Sequence, residues 1–198
     1  MTDREGLERR ELLGSLGAGA AAGIAGCLGG DEDDEDDDSQ AQVYEPTMEG
    51  VEEGPVEFGD DDSCAVCGMS VQKYFGGRGQ LVHENGLGAT VESPGCLFAY
   101  VASSTPDSPI AGAWAVDRRT GDLIDATEAH FVLITDKEAA DDPMGIDPRP
   151  YADRADAVAF LEEWDAEALN AEDDIIVGLD EVDLELASIY RGSRLPNE

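Results

Sequence analysis

The chain has 198 residues, with 46 aspartates and glutamates against 12 lysines and arginines and a formal net charge of -34. A surplus of that size repels nucleic acid and anionic lipid, which excludes DNA- and RNA-binding roles, and it keeps a protein soluble where salt screens its self-repulsion. Only two of the basic residues are lysines, Lys73 and Lys137, and the acids run from residue 31 to the C-terminus, which reads as a halophilic, extracytoplasmic surface and not as one acidic site.

At the N-terminus, Arg9-Arg10 before the uncharged, glycine- and alanine-rich stretch Leu12 to Gly26 reads as a twin-arginine export signal. The stretch falls short of the ~20 apolar residues that a membrane span needs. It ends in Ile24-Ala25-Gly26-Cys27, which resembles a lipobox. Residues 1–26 are therefore expected to be a lipoprotein signal peptide, with Cys27 acylated and anchoring the mature protein outside the cytoplasm; the alternative is an uncleaved signal anchor. Asp31 to Asp38 is an unbroken run of acids that cannot bury apolar surface, so residues 27–55 are expected to form a disordered acidic tether. Residues 56–198 remain for the working domain.

Within that domain the pattern is mixed. Gln80–Glu84 and Ala89–Glu92 are β-prone runs around Asn85-Gly86, a strong hairpin signal. Ser93 as N-cap and Pro94 at the first helical position predict a helix that carries Cys96 and ends before Pro106. Ala113–Asp117 and Asp122–Asp125 predict a second hairpin, and His130–Thr135 a buried strand. Asp136–Pro150, with three prolines, is expected to be a long loop carrying Met144. Asp153–Ala168 is an expected amphipathic helix with Ala157, Phe160, Leu161 and Trp164 on one face. Ile175–Val177 predicts a short strand, followed by a last helix within 179–190. The fold class is α+β, with the order β-β-α-β occurring twice and no residue-level repeat to accompany it.

The chemistry-bearing segment is Cys64-Ala65-Val66-Cys67-Gly68-Met69, two thiols and a thioether in one short run. With Cys27 assigned to lipid, Cys64, Cys67 and Cys96 remain, an odd number that fits a disulfide framework poorly. Three chemistries compete. A thioredoxin-like redox pair would need a strand before the motif, where the sequence is acidic and glycine-rich. A structural zinc site would combine the three cysteines with His83 or His130. A Cu(I) site needs only a few soft ligands, which Cys64, Cys67, Met69 and Met144 supply, with Cys96 either a further ligand or a buried small hydrophobe. The donor set favours Cu(I). Histidines within strands are commonly satisfied internally, so His83 and His130 stand behind the sulfurs as ligand candidates.

The Cys64–Met69 element, Ser93-Pro94-Gly95-Cys96, the run Asp125–Val132 and Pro143-Met144-Gly145 follow the order and approximate spacing of the NosL family, which this chain resembles over about residues 60 to 170. The resemblance implies two ββαβ units related to the alkylmercury lyase C-terminal fold and a lipid anchor. It also implies Cu(I) binding and delivery of copper to apo nitrous oxide reductase with help from a membrane transporter, without catalytic turnover. By the same resemblance Cys64, Cys67, Met69 and Met144 are the implied ligands. Two other functions remain open: a zinc-stapled binding lipoprotein, and an organomercurial lyase in which Cys67 and Cys96 would hold mercury and Asp61 or Asp62 would supply the proton.

Overall fold

The computed structural model describes residues 43–51, 54–73, 77–103, 108–140, 142, 145–164 and 175–196. The twin-arginine segment, Cys27, the acidic run Asp31–Asp38 and Met144 lie outside the described residues.

The expected first hairpin forms as β2 (Gly79–His83) and β3 (Leu87–Val91), antiparallel with Leu81 opposite Ala89. Asn85 shapes the turn, its side-chain oxygen accepting from the Leu87 N–H at 3.1 Å. β4 (Ile110–Val116) lies along the other side of β2, and β5 (Leu123–Asp125) pairs with β4, as the second hairpin predicted. β1 (Met48–Glu49) completes a five-stranded antiparallel sheet in the order β1-β3-β2-β4-β5.

Between β3 and β4 runs α1 (Pro94–Ser103), which starts where the Ser93-Pro94 signal placed it. Ser93 Oγ accepts from the Cys96 N–H at 3.3 Å, capping one of the donors that a helix start leaves unpaired. α1 is buried along most of its length because it packs on β2 and β3 on one side and on α4 (Leu184–Arg191) on the other. Leu97, Phe98, Tyr100, Leu81 and Phe131 centre the larger core, which also takes in Cys64 and Cys96.

The second unit repeats the path. β6 (His130–Val132), β7 (Arg149–Tyr151), α3 (Arg154–Glu163) and β8 (Ile176–Val177) follow in sequence, and the strands pair antiparallel in the order β7-β6-β8. This is the arrangement of β3-β2-β4: the first strand of each unit is flanked by the next strand in the chain and by the strand after the helix. The fold is therefore α+β with two ββαβ units. A smaller core of Val132, Ile134, Tyr151, Ala157 and Leu161 lies under the second sheet. Asp117 ties the units together, its carboxylate accepting from the N–H groups of Arg119 and Thr120 in its own turn and of Ala152 after β7, at 2.7–2.8 Å.

Four expectations change. Residues 43–51, read as tether, pack on the domain: Tyr44 stacks on Tyr100 at 5.7 Å and its hydroxyl donates to the Arg194 carbonyl, while Met48–Glu49 extend the sheet. Residues before 56 thus belong to the packed domain, which the proline- and glycine-rich sequence around these positions concealed. The expected loop Asp136–Pro150 contains a single helical turn, α2 (Lys137–Ala140), and the edge strand β7. Pro150 is compatible with β7 because an edge strand has one side with no ladder partner for the missing N–H. The buried run His130–Thr135 forms a ladder strand only over His130–Val132, although the Leu133 N–H still donates to Ile175. Helix α3 ends at Glu163, short of the expected Ala168, because Trp164 takes an extended conformation as its C-cap; residues 165–168 lie outside the described residues. No described helix is long and apolar enough to cross a membrane.

Candidate metal centre

The Cys64–Met69 segment is a closed turn bracketed by an antiparallel bridge between Ser63 and Ser70. The Cys64 N–H donates to the Met69 carbonyl and the Gly68 N–H to the Cys64 carbonyl, both at 2.8 Å. Gly68 takes φ +74°, a left-handed conformation in which a side chain would be strained, so the glycine lets the chain double back after Cys67. The Ala65 N–H then donates to the Thr90 carbonyl at 2.9 Å, which fastens the turn beside the end of β3. Two residues beyond Val91 the chain enters α1, and this corner carries Glu92 and Cys96.

The turn and the corner bring Cys64 Sγ, Cys67 Sγ, Cys96 Sγ and a Glu92 carboxylate oxygen all within 4.8 Å of one another. The three cysteines are free. Cys64, Cys96 and Glu92 are buried, and Cys67 alone of the four is partly open to solvent. The Cys67 and Cys96 sulfurs lie 3.7 and 3.9 Å from Glu92 Oε2, whereas Glu92 Oε1 is buried without a hydrogen-bond partner.

Each thiol is pushed up to about 11. The largest influence on each is hydrogen bonding between the sulfurs, which raises some thiols and lowers others, and burial with neighbouring negative charge leaves all three high. At neutral pH without a cation the sulfurs are therefore thiols, and a metal must displace their protons to bind. Burial, reinforced by the charge of Asp147, likewise raises the Glu92 carboxyl, against the opposing pull of Arg191.

Behind Cys96 sits Arg191, the last residue of α4. Its Nε donates to Cys96 Sγ at 3.3 Å, and its Nη2 donates to Ser93 Oγ at 2.6 Å and to Asp147 Oδ2 at 2.8 Å. Asp147 Oδ1 in turn accepts from the Gly95 N–H at 2.6 Å. Position 95 must be glycine for this approach, since a Cβ there would come within 2.6 Å of that oxygen.

Of the expected site residues, the structure brings together Cys64, Cys67 and Cys96. Met69 shares their turn, half-buried, with its backbone N–H directed at the Cys67 sulfur. Met144 lies outside the described residues. His83 is committed elsewhere: Nδ1 is 2.6 Å from the Ser108 carbonyl and Nε2 is 3.0 Å from the Tyr100 hydroxyl. His130, at the start of β6 opposite Tyr151, contributes to no metal-competent cluster among the described residues. Neither Asp61 nor Asp62 belongs to the cysteine cluster, and Asp62 instead accepts from the Gly59 N–H at 2.8 Å.

Sequence reasoning missed Glu92 and Arg191. Glu92 is one of 46 acids and carries no compositional signal. Its one mark is position, directly before the capping Ser93 at the end of a strand buried on both faces. Arg191 reaches Cys96 across 95 residues of chain, and in sequence it is an ordinary cation in the last turn of a helix.

The sequence model of the NosL family matches residues 55–176. A curated relative, the copper-binding lipoprotein NosL of Stutzerimonas stutzeri, is 31% identical over 126 residues, 58% of this chain and 58% of that protein, so the chain spans under two thirds of that relative's length. The crystal structure of the copper chaperone NosL from Shewanella denitrificans superposes with a TM-score of 0.51 at 18% identity, covering 66% of this chain and 96% of that one, a likeness of fold. The family match covers more than half of the sequence and takes in Cys64, Cys67, Glu92 and Cys96, so this chain belongs to the NosL family.

Proposed function

We propose that this protein is a lipid-anchored, extracytoplasmic carrier of Cu(I). The observation that carries this reading is the convergence of three free thiols, two from one turn and one from a helix start, in a mostly buried pocket with one partly open side. Thiolates select soft cations, and Cu(I) is satisfied by two or three of them. Cys64, Cys67 and Cys96 form the sulfur set, with the thioethers of Met69 and Met144 as exchangeable additions. A carrier must release its ion, and the partly open Cys67 gives a receiving protein a first ligand to replace. The names of the Stutzerimonas and Shewanella relatives, a copper-binding lipoprotein and a copper chaperone, support the same assignment.

In this reading residues 1–26 direct twin-arginine export, Cys27 carries lipid, residues from 27 to the start of the ordered chain form the tether, and the remainder is the copper-binding domain. The client is apo nitrous oxide reductase, served together with a membrane transporter, and the protein itself turns over no substrate. An anaerobic Cu(I) titration in high salt against a chromophoric competing chelator tests the first part: tight one-to-one binding that weakens in Cys64→Ser, Cys67→Ser and Met144→Ala is expected. Absence of Cu(I) binding would overturn it. Delivery is tested by incubating the copper-loaded protein with apo nitrous oxide reductase. The expected result is activation in the presence of a chelator that blocks activation by free copper, and no activation would remove the reductase as client.

A further inference from the structure

Three of the 12 basic residues in a chain with 46 acids border one pocket of about 280 Å³, between the β4–β5 turn and the second unit. Arg118 and Arg119 come from the turn, Arg149 and Tyr151 from β7, and Phe160 and Glu163 from α3. None of them belongs to the sulfur cluster. The turn is held by its backbone: the Arg118 N–H donates to the Pro150 carbonyl at 2.8 Å, and Asp117 commits its carboxylate to the N–H groups of Arg119, Thr120 and Ala152. Arg149 is fixed as firmly. Its guanidinium carbon lies 4.8 Å from the centre of the Phe160 ring and 4.6 Å from that of Trp164, and Nη2 donates to the Ala140 carbonyl at 2.8 Å.

Two of these cations lack a counter-ion. Arg119 pairs with Asp156 at 3.3 Å, but among the described residues neither Arg118 nor Arg149 is paired with a carboxylate, that of Glu163 included. Burial first, and then the charge of Arg118, pull the Arg149 guanidinium below its usual value, as expected of two cations held close in partly desolvated surroundings. Tyr151 is pushed up to about 12, chiefly by burial, so its phenol stays neutral and keeps an O–H to donate. A guanidinium fork fixed by stacking, a second guanidinium and a phenol suit a planar carboxylate, which accepts paired hydrogen bonds.

We propose that this pocket is a docking point for a carboxylate side chain on an acidic partner protein. Arg118 and Glu163 are exposed, so the pocket opens at the surface. A carboxylate carried on a partner's surface gains from every neighbouring contact, which a free anion cannot. A partner with an acid surplus of its own is repelled by the rest of this chain, at net charge -34, so the arginines also fix which face it meets. Partly buried pairs are screened much less than exposed ones, so the recognition survives salt that removes the long-range field.

The test titrates the full-length chain carrying Cys27→Ser with an end-blocked tetraglutamate peptide, and in parallel with acetate and with inorganic sulfate, at low and at high salt. Binding is read by calorimetry and by tryptophan emission, since Trp164 lies against Arg149. Tetraglutamate is expected to bind more tightly than either small anion. Arg118→Gln, at an exposed position, should weaken it at least ~10-fold, and Arg149→Lys, which keeps the charge but loses the fork, nearly as much. Glu163→Gln should tighten it, because that change removes a carboxylate sharing the pocket. Arg154→Gln makes the same change of charge at an exposed position outside the pocket and should alter little. No peptide binding by the parent, acetate or sulfate binding as tightly as the peptide, an equal loss in Arg118→Gln and Arg154→Gln, or loss of all binding at high salt would each overturn the proposal.

Discussion

Replacing Asp147 with alanine removes two hydrogen bonds from the most enclosed part of the molecule. Asp147 Oδ2 pairs with Arg191 at 2.8 Å, with side-chain exposures of 7% and 9%, and Oδ1 holds the Gly95 N–H at the start of α1. Removing one partner of a buried pair costs about 3–5 kcal/mol, because the other charge stays desolvated without its counter-ion. The freed Gly95 N–H would add about 1–3 kcal/mol on its own, but both losses stem from one side chain and water entering the gap relieves both, so the expected total is about 4 kcal/mol. For a domain of this size each kcal/mol moves the midpoint by ~2–4 °C, so Asp147→Ala should lower Tm by roughly 8–16 °C in a calorimetric or circular-dichroism melt. Because apolar pairs of similar volume replace buried ion pairs at little net cost, the double variant Asp147→Leu/Arg191→Met should recover most of that stability. A loss below ~1 kcal/mol for Asp147→Ala is what an exposed pair gives, and it would refute the view that α4 is clamped to the α1 corner through this contact.

Phe98 is fully buried, edge-on to Phe131 at 5.1 Å and to Tyr190 at 6.0 Å, so Phe98→Ala should cost about 3–5 kcal/mol in urea unfolding, and a loss under 2 would mean that the core collapses around the cavity. Burial alone would raise the Asp117 carboxyl, but the N–H groups of Ala152, Thr120 and Arg119 outweigh it and hold the pKa below its usual value. Its stabilisation is therefore complete above the ordinary aspartate value of about 4 and is lost as pH falls through the lower folded-state value, so Asp117→Ala should be destabilised at pH 7 and show a flatter acid limb than the parent. Parallel acid limbs would exclude that linkage. Under native, metal-free conditions iodoacetamide should modify Cys67 before the buried Cys64 and Cys96, more slowly than a free cysteine because the thiol is pushed up to about 11, and faster as pH rises. Peptide mapping that found Cys96 first would contradict the buried position of α1.

What the sequence made legible was whatever local chemistry dictates. Asn85-Gly86 marked one hairpin, Ser93-Pro94 the start of α1, and Cys64–Met69 the run that carries the sulfur, because each signal lies in neighbouring residues. What it concealed were pairings decided at a distance. Met48 and Glu49 have no strand character of their own and become β1 only because the edge of β3 offers them hydrogen bonds. Pro150 argues against a strand until the strand is known to lie at an edge. Glu92 and Arg191 look like surface charges until the fold buries them beside the same cysteine.

The same distinction explains why the doubled ββαβ path left no trace as a sequence repeat. β3 ends at Val91 and α1 begins at Pro94; β7 ends at Tyr151 and α3 begins at Arg154, so two residues turn each corner. Matched position by position, Glu92 corresponds to Ala152, the capping Ser93 to Asp153, and Cys96 to Asp156. What the two corners share is a small polar residue of the N-cap type before the helix, although Ser93 caps with its side chain and Asp153 does not. The remaining positions are free to differ, and they do: Asp156 faces outward to Arg119 at 3.3 Å, whereas Cys96 faces inward to the other two sulfurs. The Cys64–Met69 turn docks on the end of β3 through Thr90, so among the described residues the first corner alone meets sulfur donors. The topology supplies two equivalent corners, and the side chains give one a cluster of three thiols and a carboxylate and leave the other as a helix start.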